Sequence, residues 1–438
     1  MLSFRYVSGL LLLVALVSGC ASAEKRFNQG LEMETRGQYE SAMMRYIQAL
    51  EKEPGLEDAR VRVRETGALA ITERLEEAEY LGGRGDQVAS ARQFQGVDAI
   101  VARARTVGVR LTVPQEYAQT RRATFDEAFH SLLDRGSMAR DQGRWQDGLT
   151  CYHQAQRDFE PTLTQRNRAL AEESALLVQW SEYEYQLGHL RNTFEVAALV
   201  QELEWSPRDL SLRAAELMEI SLAEGEIELI VLPVQAHGES GASAARNREL
   251  AAAIESTLQD GPWRRPPPFV YLHETLAVGG LIDQAGLLDG EYRPATLALI
   301  LQLADADYAA YLQILNSDSL EFDVKSRTHK VKKRSGAAAS FVEKSGKRRI
   351  QAQARVVIAD GLGHEIADVI VSGSGTASFA RGEYQGRWRD LNLDARQVDL
   401  FDRFAQEQQD RDAIQALVQD LSSSIAGAVF QPTLAQVP

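Results

Sequence analysis

At 438 residues the chain is too long for one ordinary hydrophobic core and implies two or three domains. Hydrophobic residues at 44% and charged residues at 25% exclude wholesale disorder. A formal net charge of −14 disfavours general polyanion binding, so nucleic acid is not expected as a partner.

Residues Met1 to Gly19 hold one positive charge, Arg5, then an apolar run from Leu10 to Val17, then small residues. That is the layout of a secretory signal peptide over residues 1–19, and the run is too short to span a bilayer comfortably. The run ends in Leu16-Val17-Ser18-Gly19-Cys20, which resembles the lipobox of bacterial lipoproteins. The resemblance implies a diacylglyceryl group on Cys20 and, with Ala21 rather than aspartate next, sorting to the outer membrane. Each buried methylene contributes roughly 0.8 kcal/mol, so several acyl chains hold a protein on a bilayer durably. The other cysteine, Cys151, is expected as a small packed hydrophobe on a helix, with a reactive thiol as the alternative.

From about Glu24 to Ala223 the chain is rich in Ala, Leu, Glu, Arg and Gln, and apolar residues recur at three- and four-residue spacings. Helix is expected throughout, as repeats over residues 20–110 and further repeats over 111–224. Gly37, Tyr39, Ala42, Tyr46, Ala49 and Pro54 recur at matching offsets in Gly143, Trp145, Gly148, Tyr152, Ala155 and Pro161, with one extra residue before the second proline. The glycines are expected to turn the chain between paired helices, and Tyr39 and Trp145 to fill the gap between them. Ala42 and Gly148 suit the closest approach, and each proline blocks extension of the second helix. This pattern resembles the tetratricopeptide repeat, whose hairpins must stack to bury their apolar faces and so form a groove for partner segments. Leu75 to Phe94, around Gly82-Gly83-Arg84-Gly85, and Trp180 to Pro207, turning at Gly188, are the expected degenerate units.

At Gly225 the pattern changes, and residues 225–438 are expected to form an α/β domain. Glu226 to Val234 reads as a buried strand, Arg248 to Leu258 as a helix, Phe269 to Leu272 as a strand and Pro294 to Ala304 as a helix. Tyr308 to Leu315 reads as a third strand, and Arg349 to Ala359 with Glu365 to Val371 as a hairpin turning at Asp360-Gly361-Leu362-Gly363. Gly373-Ser374-Gly375 is expected as a loop or bulge. A last helix carries Ile414, Leu417, Leu421, Ile425 and Val429 on one stripe. The fold class is therefore a helical, tetratricopeptide-like solenoid followed by a mixed sheet with packed helices.

The order of Ile230-Val231-Leu232-Pro233, Ala304-Asp305-Ala306-Asp307-Tyr308 and Ala354-Arg355-Val356-Val357-Ile358-Ala359-Asp360 resembles one small envelope α/β domain family. Its members include the amino-terminal domain of the TolB translocation protein, the curli secretion channel subunit and lipoprotein activators of penicillin-binding proteins. The family shares fold and location rather than activity, so the resemblance implies no catalytic residues. The channel subunit sends two hairpins into the outer membrane. The first corresponding stretch here, Val324 to Arg349, carries ten cations, and a lipid-facing charge costs roughly 2–4 kcal/mol at the midplane, so a pore is not expected. Within this stretch Lys330, Lys332, Lys333 and Arg334 are candidates for contact with an anionic partner, against the reading of a solvated flexible loop.

No H-E-x-x-H, G-x-S-x-G or P-loop occurs, and the seven histidines lack metal-ligand spacing. Asp305 and Asp307 could pair as acid and base, but Asp307 is better placed to end the preceding helix. The expectation is an outer-membrane lipoprotein, not an enzyme, with no cofactor and no metal. It would bind envelope proteins through its repeats and the membrane through its lipid, and its distal domain would dock on an envelope component or self-associate. A scaffold or assembly factor is the first reading; an activator of peptidoglycan synthases and an oligomeric curli-type secretion component are the alternatives.

Overall fold

A computed structural model describes residues 23–236, 242–273, 280 and 294–438. Cys20 lies outside them. The chain divides into two compact units, Met1–Tyr183 with Val196–Glu216, and Glu184–Glu195 with Leu217–Pro438. A run of helices precedes a mixed sheet with packed helices, so the helical solenoid followed by an α/β domain is the fold of the chain.

The described helices before the sheet are α1 (23–35), α2 (Tyr39–Lys52), α3 (Glu57–Gly83), α4 (Gln87–Thr106), α5 (Tyr117–Asp141), α6 (Trp145–Arg157), α7 (Leu163–Gln186), α8 (Leu190–Glu202) and α9 (Arg208–Gly225). Strong helix formers fill them, but stability comes from the buried stripes. On α2 the stripe is Ala42, Met43, Tyr46, Ile47, Ala49 and Leu50.

Four antiparallel hairpins result, α1/α2, α3/α4, α5/α6 and α7/α8, the last crossed by the boundary between the units. All four turn through one device. Gly37, Gly85, Gly143 and Gly188 have φ of 73°, 83°, 69° and 76°, a region costly for any residue with a Cβ. At each, the glycine N–H reaches the carbonyl three residues back, and the next N–H reaches the carbonyl five residues back, as in Gly143 to Arg140 and Arg144 to Ala139. These are the bonds that satisfy a helix's last carbonyls.

The second unit holds a sheet ordered β3-β1-β4-β5-β6, from β1 (Ile227–Val231), β3 (Val270–Leu272), β4 (Tyr308–Lys333), β5 (Ala338–Asp360) and β6 (Glu365–Glu383). Short β2 (Gln235–Ala236) and β7 (Leu391–Asn392) also pair with β4. Strands β1, β2, β3 and β4 pair in parallel; β4, β5 and β6 are antiparallel. On one face α10 (Ala242–Asp260) and α13 (Arg403–Leu434) cover Leu312, Ile314, Ala354 and Val356. On the other, α11 (Pro294–Ala304) places Leu297, Ile300 and Leu301 against Ile230, Tyr311 and Val357. A short α12 (Ala395–Asp399), closed by an Asp394–Gln397 capping box, precedes α13.

Several expectations need correction. The third strand does not stop at Leu315: β4 runs on to Lys333, with register shifts at Ile314/Asn316 and Phe322/Lys325. Residues 324–349 are accordingly no flexible loop but the far half of a paired β4–β5 hairpin, whose ladder continues to Lys332↔Ala338. Phe341, Leu391 and Leu400 form a small core at its tip, with Val331 packed on them, which gives the charged ladder something to fold on.

Gly373, Ser374 and Gly375 are likewise inside β6, paired with Ala352, Gln351 and Ile350. The glycines serve close approach: a Cβ on Gly373 would stand 2.7 Å from the Leu421 Cβ, and one on Gly375 2.7 Å from the Leu417 nitrogen. The expected stripe on α13 also shifts at its start. Ile414 is 42% exposed, and Ala413, Leu417, Leu421, Ile425 and Val429 make the buried line. That helix is long and apolar enough to cross a bilayer, but its apolar stripe is spent on the sheet.

Among the described residues no strand pairs with the outer edge of β6, and such an edge is a ready site for aggregation. Helix α13 and the segment before it close this edge. Asp420 Oδ2 accepts from the Ser374 N–H at 2.8 Å, Gln409 Oε1 from Ala380 at 2.8 Å, and the Leu400 carbonyl from Gly382 at 2.7 Å.

Candidate functional site

The repeat residues fall into two roles. Tyr46 and Tyr152 are fully buried, as are Ala42, Ala49 and Ala155. A Cβ on Gly30 or Gly136 would stand 2.5 Å from the Tyr46 or Tyr152 ring, and one on Gly148 3.3 Å from the Gly136 carbonyl oxygen, so α1 and α2, and α5 and α6, approach closely at these glycines. Gly30 and Gly136 each precede their tyrosine by the same interval; that repeated spacing was readable in the sequence and marks two residues the pattern above omits. Gly148 leaves room for Leu176. Pro54 and Pro161 follow the ends of α2 and α6.

Tyr39 and Trp145, expected in the gap between paired helices, open α2 and α6. Both are only partly buried. Trp145 instead stacks on Trp180 of α7, with ring centroids 6.4 Å apart and planes within 7°, and tilts against Tyr183.

The first unit also contains a cavity of about 620 Å³ between α3, α4 and α5. Leu75, Phe94 and Tyr117 give it an apolar and aromatic floor, and Glu79, Glu116 and Glu127 line it with exposed carboxylates. No lysine or arginine lines it, and none of the three carboxylates forms an ion pair among the described residues. Tyr117 is fixed from behind: its hydroxyl donates to Asp98 Oδ1 at 2.8 Å, and Arg121 Nε donates to Asp98 Oδ2 at 2.7 Å. Burial, then the hydrogen bond to Asp98, pushes the Tyr117 phenol well above its ordinary pKa. Burial, then Glu34 at 2.6 Å, does the same to Tyr46. Both phenols are neutral, and Tyr117 is a rigid part of the cavity wall rather than an acid.

The basic candidates are not brought to one patch. Successive residues of a strand face opposite ways, so Lys330 and Lys332 share a face of the hairpin and Lys333 takes the other. Arg334 sits in the turn, where its N–H donates to the Asp390 carbonyl at 2.8 Å. Further down the hairpin the cations are structural. Arg348 reaches both Asp410 oxygens at 2.6 Å and Glu321 at 2.9 Å, and Arg381 also donates to Glu321. Burial opposes ionisation of Glu321, but the hydrogen bonds from Arg348 and Arg381 outweigh it and hold its carboxyl below the usual range.

Five histidines pair with carboxylates: His153 with Glu173, His189 with Glu184, His273 with Glu228, His329 with Glu343 and His364 with Asp360. Among the described residues no group of three or more His, Cys, Asp or Glu could hold a metal ion. Asp307 accepts from the Glu228 N–H at 2.9 Å and its own N–H donates to the Glu228 carbonyl, so it ties β4 to β1. Asp305 precedes it in a left-handed conformation, φ 54°. Cys151 is half-buried, and burial pushes its thiol pKa up, away from the thiolate that reactivity requires. Compared with known proteins, the chain matches no family model and no curated sequence.

Proposed function

We propose that the protein is a lipid-anchored, non-catalytic scaffold of the bacterial outer membrane that holds an envelope protein through its helical unit. The observation that carries the partner half of this reading is the cavity between α3, α4 and α5, with Phe94 and Tyr117 on its floor and Glu79, Glu116 and Glu127 around it. An aromatic floor offers an apolar anchor a place to be buried, and unpaired carboxylates offer complementary charge to a basic segment. The favoured partner segment therefore carries a large apolar side chain flanked by lysine or arginine. Residues Leu16 to Cys20 support the anchor, and removal of water from acyl chains supplies its strength.

Two measurements test the two halves separately. Cells fed radiolabelled fatty acid should label the wild-type chain and not Cys20→Ala; label on the variant refutes the anchor. A photo-crosslinker at Thr124, at the cavity wall, should capture an envelope protein from intact cells, and a Glu79→Lys/Glu116→Lys/Glu127→Lys variant should lose that product. Capture that survives charge reversal refutes the cavity as the docking site.

A further inference from the structure

The α/β unit has a second cavity, separate from anything the scaffold reading uses. Strands β1 and β3 are parallel neighbours. Ligands of open α/β sheets bind outside the carboxyl ends of the parallel strands. A cavity of about 330 Å³ lies at the carboxyl ends of β1 and β3, bounded by Val231 at the end of β1 and Val234 after it, by Leu272 and His273 at the end of β3, and by α10.

What lines it defines its chemistry. Glu255, Gln259 and Trp263 follow one another at four-residue intervals, so α10 and the turn after it present them as one stripe toward the strands. The Glu255 carboxylate accepts the Val234 backbone N–H and lies 3.5 Å from the Gln259 amide nitrogen. No cation pairs with it among the described residues. Apolar walls from Val231, Val234, Leu272 and Leu312 withhold water from it, and burial raises its pKa. A carboxylate, an indole and an alkyl-lined wall together fit one kind of group, a cation on an aliphatic stem: ion pair at the head, ring face beside it, methylenes along the wall. An anion would meet the Glu255 charge, and a purely apolar ligand would leave that charge desolvated and unpaired.

We propose that this crevice binds an alkyl guanidinium or ammonium group, with Glu255 as the counter-ion and Trp263 as the aromatic wall. Arg264 stands exposed at the rim, where it does not compete for Glu255 and lies within reach of a carboxylate or carbonyl carried by the same ligand. The cation has two sources, a free small molecule or an arginine or lysine side chain of a polypeptide.

Calorimetric titration of the purified full chain separates them, with agmatine as the free cation, acetyl-Gly-Arg-Gly-amide as the polypeptide side chain and butyrate as the anion control. At least one cationic probe should bind saturably, and Glu255→Gln should weaken it about tenfold or more, as loss of a charge-assisted partner in a partly dry site does. Trp263→Phe should remove the accompanying fluorescence change. Tighter binding of agmatine than of the peptide assigns a free amine or guanidine; the reverse assigns a polypeptide. Failure of both cations to saturate, undiminished binding by a folded Glu255→Gln protein, or butyrate binding in their place overturns the proposal. Because the site lies on the α/β unit, each of these outcomes is independent of the crosslink at Thr124.

Discussion

Replacing Gly375 with alanine places one methyl group between β6 and α13. The new Cβ would lie 2.7 Å from the Leu417 nitrogen and closer still to the Ala413 carbonyl oxygen, whereas ordinary contact begins near 3.4 Å. Both obstacles are helix backbone, so no side chain can rotate away. Helix α13 must retreat by most of an ångström, and Leu417, Leu421 and Ile425 retreat with it from Ala352, Ala354 and Val356. The same movement stretches the Asp420–Ser374 and Gln409–Ala380 bonds that close the edge of β6.

Overpacking of this kind costs about 1–3 kcal/mol, and weakening two edge bonds adds on the order of 1 kcal/mol. For a unit of this size each kcal/mol is worth roughly 2–4 °C, so its melting transition should fall by about 4–16 °C. Gly427→Ala in the same helix is the internal control: nothing lies within 4 Å of its Cβ, and the gain in helix propensity should stabilise by about 0.5–1 kcal/mol. Calorimetric unfolding of the two variants reads opposite signs. A Gly375→Ala transition within about 1 °C of wild type would refute the close approach of β6 and α13.

Gly136→Ala should cost the helical unit about 1–3 kcal/mol in thermal unfolding, because its Cβ would stand 2.5 Å from the Tyr152 ring; a neutral effect would show that the third hairpin is packed differently. Tyr46 and Tyr117 should ionise above the ordinary tyrosine range in a near-ultraviolet titration. Their folded pKa values are raised above the unfolded value near 10, so the stabilisation is complete below that pH and is lost as the pH rises above it. Ionisation of all tyrosines in the ordinary range would contradict this. Neutralising Lys330 and Lys332 together should leave stability within about 0.5 kcal/mol, since both side chains are solvated on one face of the hairpin; a large loss in a urea melt would make them structural.

Short-range information made much of this protein legible before its structure. The turns at Gly37 and Gly143 follow from a need for positive φ that any chain reversal with these bonds imposes, and the identical turns at Gly85 and Gly188 explain why weak repeats still fold as hairpins. Alternation and apolar runs placed the parallel core strands, because burial on both faces leaves a continuous hydrophobic signature. The charged half of β4 carried no such signature: its partner on β5 and its packing at Phe341 lie beyond a turn, and only the completed ladder makes lysines and arginines into strand. Gly373 and Gly375 read as a loop for the same reason, since the helix that requires their missing side chains arrives some forty residues later. Local pattern was enough for the helical hairpins, the α/β order and the cysteine that follows the apolar run. Which faces meet, which carboxylates stand without an ion pair among the described residues beside Tyr117 and Trp263, and how the edge of β6 is closed emerge only on folding, because they depend on distances between residues far apart along the chain.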